Sequence, residues 1–205
     1  MKTALALTTS ALLLLSACGD AGTNAPPASP KTSNSDPGPA PAKAVYEPIT
    51  AFEHFDAEVF AELREQAAEQ GKVLVIDFWA TWCGSCVQMF PVLHQAMHEG
   101  DRHDHVMLLS VTQDDGEDDI AKALRFVNKQ EAGQGAYLQA QDSIDAVAAA
   151  INAMHDGDEW AGSALPGVFV FDKEGHLAHA MTQTSGEVTD WVAEIALAAD
   201  AAAAQ

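Results

Sequence analysis

The chain is poor in positive charge and in cysteine. Against 30 acidic residues stand 10 Lys and Arg, giving a formal charge of −20, and there are 3 cysteines in 205 residues. That charge repels nucleic acid and anionic lipid headgroups, which argues against a polyanion-binding function. Three cysteines are too few for a framework of structural disulfides or for a four-cysteine zinc site. A long apolar run is missing as well. The stretch from Ala4 to Leu15 is too short to cross a bilayer, and nothing after it is apolar enough. No internal repeat is evident.

What is present begins with Lys2 ahead of that apolar stretch, followed by Leu15-Ser-Ala-Cys18. This reads as a secretory signal peptide over residues 1–17. Its ending resembles the bacterial lipobox, which implies that Cys18 becomes the lipidated first residue of a periplasmic, membrane-anchored lipoprotein. An ordinary secretory signal with an incidental cysteine is the alternative, and inner or outer membrane is left open. Several acyl chains would anchor the protein durably. Residues 18–48 are rich in Ala, Pro, Ser, Thr, Asn and Gly and cannot bury enough surface to offset the entropy of ordering. They read as a tether, stiffened by Pro26, Pro27, Pro37, Pro39 and Pro41. Residues 49–205 suffice for one domain with its own core.

With Cys18 set aside, one pair remains, Cys83 and Cys86. A bridge between them closes so small a loop that it constrains the unfolded chain little, so a structural staple is a poor explanation. Val73-Leu-Val-Ile-Asp-Phe-Trp79 reads as a strand buried on both faces, and Val87, Phe90, Leu93 and Met97 give residues 84–98 a helical period. Cys83 therefore falls at a helix N-terminus, where free N–H groups and the helix dipole favour a thiolate. Cys86, one turn on, can face it. Asp77 is the single acid inside the apolar strand; burial would raise its pKa and suit it to accept the proton of Cys86. A strand-end acid that merely reaches water is the alternative.

These residues resemble the thioredoxin superfamily. Asp77-Phe-Trp-Ala-Thr-Trp-Cys-Gly-Ser-Cys86 is similar to its active-site signature, Pro91 to its helix-kinking proline, and Leu165-Pro-Gly-Val-Phe-Val-Phe-Asp172 to its cis-proline segment. The resemblance covers residues 50–200 approximately. It implies a thioredoxin-like three-layer α/β/α fold with a mixed central sheet, and an enzyme, a protein thiol–disulfide oxidoreductase, that needs no cofactor. It also implies a cis peptide before Pro166, with Leu165, Pro166 and Gly167 opposite the dithiol, where the backbone of Leu165 pairs with a substrate chain and Gly167 leaves the approach uncrowded. A trans loop proline is the alternative. Trp82 would shield the thiolate and border the docking surface, while Trp79 belongs to the core. Extra material between the second predicted strand and Pro166 resembles the membrane-anchored TlpA/ResA-like branch, whose members include reductases serving cytochrome c assembly. The partners so implied are protein disulfide substrates and a membrane thiol-relay reductant, acting on a monomer. Thioredoxin pairs its buried acid with a lysine on the neighbouring strand, whereas Val106-Met-Leu-Leu-Ser-Val111 carries none.

Other elements follow from pattern. Asp56 is placed to cap a helix over 57–70 that Gly71 ends. His105 to Thr112 reads as a strand, 117–131 as a helix, and Ala136 to Ala140 as a short strand. Ser143 is placed to cap a further helix. Gly167 to Asp172 and Leu177 to Met181 form a hairpin turned by Asp-Lys-Glu-Gly, and a last helix covers 187–199. The acidic run from Asp114 to Asp119 reads as solvated loop and helix start. Trp160 reads as core rather than substrate contact.

Direction is read from the Gly84-Ser85 dipeptide. Neither residue supplies positive charge and the surroundings are acidic, so Cys83 is expected to be a weaker acid than in an oxidant, favouring a reductase or reductively recycled exchanger over a disulfide oxidase or isomerase. A rival of another class is a copper-binding chaperone using the reduced thiols, with His94, His98, His103 and His105 close in sequence. His94 and His98 are read instead as a solvated helix end, with no metal assigned. A peroxidase is disfavoured, because its lone nucleophile normally sits in a different motif.

Overall fold

The computed structural model describes residues 46–154, 157–182 and 186–205. The signal peptide, Cys18 and nearly all of the tether lie outside the described residues. Among those described, no helix is long and apolar enough to cross a membrane.

The strands are β1 (Glu53–Phe55), β2 (Val73–Trp79), β3 (Val106–Thr112), β4 (Ala136–Gln139), β5 (Gly167–Phe171) and β6 (Leu177–Met181). The helices are α1 (Ala57–Glu69), α2 (Gly84–Met97), α3 (Arg102–His105), α4 (Glu117–Lys129), α5 (Ile144–Asn152) and α6 (Val188–Ala203). One mixed sheet runs in the order β1-β4-β3-β2-β5-β6. The first four strands in that order pair in parallel, and β5 pairs antiparallel with both β2 and β6.

Strand β2 is central, and all of its residues are buried, as its unbroken apolar sequence requires. Its alternation sorts the core into two layers. Leu74, Ile76 and Phe78 pack with Phe60 of α1 and Val147 and Ile151 of α5. Val73 and Val75 face the other way, against Met89 and Leu93 of α2 and Val192 and Ile195 of α6. At the C-terminal end of β2, Trp79 joins Cys83, Cys86, Phe90 and Val127 in a third cluster. The active-site helix is thus held at the carboxyl end of the central strand, where open α/β sheets place their chemistry.

Local chemistry explains the boundaries. Asp56 caps α1, accepting from the N–H groups of Glu58 and Val59 at 2.9 Å each. Asp172 organises the β5–β6 turn, accepting from the N–H groups of Glu174 (3.0 Å) and His176 (2.8 Å), with Gly175 at φ 80°. The material expected between the second predicted strand and Pro166 comprises α4, β4 and α5, and β4 sits between β1 and β3.

Several expectations change. Strand β1 and the one-turn helix α3 are additions, and His105 belongs to α3 rather than to the strand after it. Helix α6 runs to Ala203, where Arg102 grips Asp200 through Nε (2.7 Å) and Nη2 (2.9 Å). Ser143 precedes α5 without capping it, because its hydroxyl donates to the carbonyls of Ala140 (2.8 Å) and Phe55 (3.3 Å).

Candidate active site

Cys83 is the N-cap residue of α2, in extended conformation at φ −88° and ψ 102°, and its Sγ accepts from the Cys86 N–H at 3.3 Å. The two cysteines form a disulfide. Cys86 is fully buried and Cys83 is 8% exposed, so the residue at the helix end is the more accessible of the two. The N–H that touches Cys83 Sγ in the disulfide would donate to its thiolate after reduction, adding to the helix dipole. Ser85 Oγ lies 3.6 Å from the same sulfur.

The loop leading to Cys83 is clamped by a residue that sequence reasoning misplaced. Asp114 is buried rather than solvated, and accepts from the Thr81 N–H (2.9 Å), the Thr81 hydroxyl (2.5 Å) and the Thr112 hydroxyl (2.6 Å). Trp79 is core, stacked in tilted fashion against Phe90 (4.8 Å between centroids) and Phe126 (5.2 Å). Trp82 is 61% exposed.

Asp77 projects toward α2. It shares the alternation of Val73 and Val75, which pack on Met89 and Leu93, and of Trp79, which packs with Cys86. It is wholly buried, and among the described residues no group donates a hydrogen bond to either carboxyl oxygen. Burial alone pushes its pKa up to about 8.

The Leu165–Pro166 peptide bond is cis. Leu165, half-buried, packs against the cluster that contains both cysteines. Gly167 has a different part from the one expected. The space its missing side chain leaves is filled by the Trp160 indole, since a Cβ there would come within 3.1 Å of the ring. Trp160 is core, lying 4.7 Å from Phe78 and 4.9 Å from Phe169 by centroid, with Nε1 donating to the Ala164 carbonyl at 2.8 Å.

The histidines do not converge. His94 Nε2 lies 2.7 Å from Ser110 Oγ on β3, and its ring stacks on Phe90 at 4.2 Å. It is half-buried rather than solvated, and burial, aided by neighbouring His98, pushes its pKa down to about 3. His98 Nδ1 meets the His94 carbonyl at 2.7 Å, and His103 Nε2 meets Asp104 at 3.0 Å. Among the described residues, no three His, Cys, Asp or Glu side chains are grouped to hold a metal ion.

A mixed sheet layered by helices, with a disulfide spanning the N-terminal turn of the helix after its central strand, defines a thioredoxin-like protein. Residues 45–180 match the AhpC/TSA family model, and the chain belongs to that family. A thiol:disulfide interchange protein of the thioredoxin family from Chlorobium tepidum superposes with a TM-score of 0.51 at 17% identity, over 79% of this chain and 99% of that one. The fold is therefore shared. A thioredoxin-like protein of Synechocystis is 47% identical over 36 residues, 18% of this chain and 34% of its own. Mouse thioredoxin is 40% identical over 52 residues, 25% of this chain and 47% of its own. The chain thus spans between a third and a half of the length of these two curated relatives.

Proposed function

We propose that this protein is an exported, lipid-anchored thiol–disulfide oxidoreductase that reduces disulfides of extracytoplasmic proteins. The observation that carries the reading is the Cys83–Cys86 disulfide across the first turn of α2, with the more accessible cysteine at the helix N-terminus. In the reduced protein the Cys83 thiolate attacks a substrate disulfide, one substrate sulfur leaves as thiolate, and a mixed disulfide forms. Cys86 gives its proton to the Asp77 carboxylate and attacks Cys83 Sγ. The second substrate sulfur departs, and the Cys83–Cys86 disulfide is left behind. Two electrons from a thiol reductant restore the dithiol, and the expected donor is a membrane thiol-relay protein.

Supporting this direction, neither Gly84 nor Ser85 places a positive charge beside Cys83. Leu165, packed near the dithiol, supports docking of an extended substrate chain along that segment, with Trp82 at its border. Lipidation of Cys18 and a tether over 18–48 would hold the domain off the periplasmic face of a membrane.

Cys86→Ala tests the order of attack. Mixed disulfides on Cys83 should accumulate with a protein disulfide substrate, seen by non-reducing electrophoresis and mass spectrometry, and Cys83→Ala should give none. Adducts on Cys86 of the Cys83→Ala chain, with none on Cys83 in the converse variant, would contradict it.

A further inference from the structure

Asp77 presents a physical problem that the exchange mechanism leaves open. An acid that must take and release a proton usually has a charged or hydrogen-bonding partner, yet among the described residues the two oxygens of Asp77 have no donor and no charged group acts on it. The groups around it narrow the answer. On β5 its register partner is Val168, and on β3 it is Ser110. From α6 the same side of the sheet meets Trp191, Val192 and Ile195. From α2 the titratable groups on that side are Cys86 and His94. Paired strands lie about 4.8 Å apart and register partners in a parallel pair share a face. Ser110 is therefore the hydroxyl next to Asp77 on that face, one strand away. Ser110 in turn is bonded to His94 Nε2 at 2.7 Å.

We propose that Ser110 and His94 together form the hydrogen-bonding partner toward which the Asp77 carboxyl turns when ionised, with His94 positioning the Ser110 hydroxyl. A neutral imidazole donates through one nitrogen and accepts through the other. With Nε2–H as the donor, the 2.7 Å bond runs from His94 to the Ser110 oxygen. When Nε2–H donates to that oxygen, the serine proton turns to an ionised Asp77. The pair favours the ionised acid without introducing a second buried charge. Burial beneath Phe90 and the proximity of His98 keep His94 neutral, as this role requires. His94 is thus a positioning residue, acting on Asp77 through Ser110. The inference rests on the reading of Asp77 as the proton acceptor for Cys86.

The test is the protonation midpoint of Asp77 in the oxidised full chain, followed by carbon-13 NMR of labelled aspartate. Ser110→Ala and His94→Phe, the latter keeping the stack on Phe90, should each raise the midpoint by about one pH unit, a tenfold loss of ionised form. His94→Gln, whose amide both donates and accepts, should recover most of the difference. A midpoint unmoved in the folded His94→Phe chain would overturn the proposal even if Ser110→Ala fails to fold. The titration needs no turnover. A shifted midpoint in a chain that exchanges no disulfides would uphold the coupling and reject the enzyme reading, whereas active exchange with an unmoved midpoint would do the reverse.

Discussion

Asp77 and Asp114 are both buried acids beside the loop that carries Cys83, yet their surroundings differ in kind. Asp114 accepts from one backbone N–H and two threonine hydroxyls, all between 2.5 and 2.9 Å. Asp77 accepts from no group among the described residues, and burial lifts its pKa to about 8. A buried carboxyl surrounded by donors holds a loop in place. One left without them costs stability when ionised, and its raised pKa makes that ionised form the stronger base toward a thiol proton. The same residue type therefore clamps a loop in one place and in the other is the acid to which the proposed mechanism gives proton chemistry, and its partners make the difference.

The comparison breaks most visibly through pH. Between about pH 4 and pH 8 the unfolded chain has lost the Asp77 proton and the native chain keeps it, so stability falls as pH rises through that window and levels above it. The expected fall for the oxidised protein is on the order of 5 kcal/mol from this residue alone, read from urea titrations. Asp77→Asn should remove that part of the slope and be the more stable chain at pH 8. Equal slopes in the two chains would mean that Asp77 is not the uncompensated acid described.

Asp114→Ala should act with the opposite sign, costing about 3 kcal/mol at pH 7 because the Thr81 N–H and two hydroxyls lose their acceptor, while leaving the Asp77 slope in place. Gly167→Ala should cost about 1–2 kcal/mol in thermal or urea unfolding, since its Cβ would press on the Trp160 ring. The smallest effect is expected at Trp82. Being 61% exposed, it should change stability by less than about 0.5 kcal/mol on substitution by Ala, while weakening substrate exchange. A large stability loss there would show that Trp82 is structural.

Legibility in the sequence followed how local each signal is. The apolar run Val73–Trp79, the Asp56 cap and the Asp172 turn each depend on residues within a few positions, and each element lies where the pattern puts it. Strand β1 was not legible, because Glu53-His54-Phe55 is too short to show alternation and becomes a strand by pairing with β4. Asp114 looked like part of a solvated acidic run, since Thr81 lies 33 residues away. His94 looked like a helix-end histidine, since Ser110 lies 16 residues away. Gly167 looked like room for a substrate until the fold brought Trp160 over it. The cysteine pair and Asp77 stand in one contiguous motif; Asp114, which bonds Thr81, and Ser110, the register partner of Asp77, are distant from it in sequence.

The most direct measurement is the redox equilibrium of the Cys83–Cys86 couple against glutathione and dithiothreitol, followed by tryptophan fluorescence with Trp79 packed beside the cysteines. The account predicts reversible two-electron exchange with a potential near or below roughly −230 mV, that of a reductase needing an electron supply. A potential near or above roughly −150 mV would contradict the direction, and a disulfide that does not equilibrate would contradict the redox function itself.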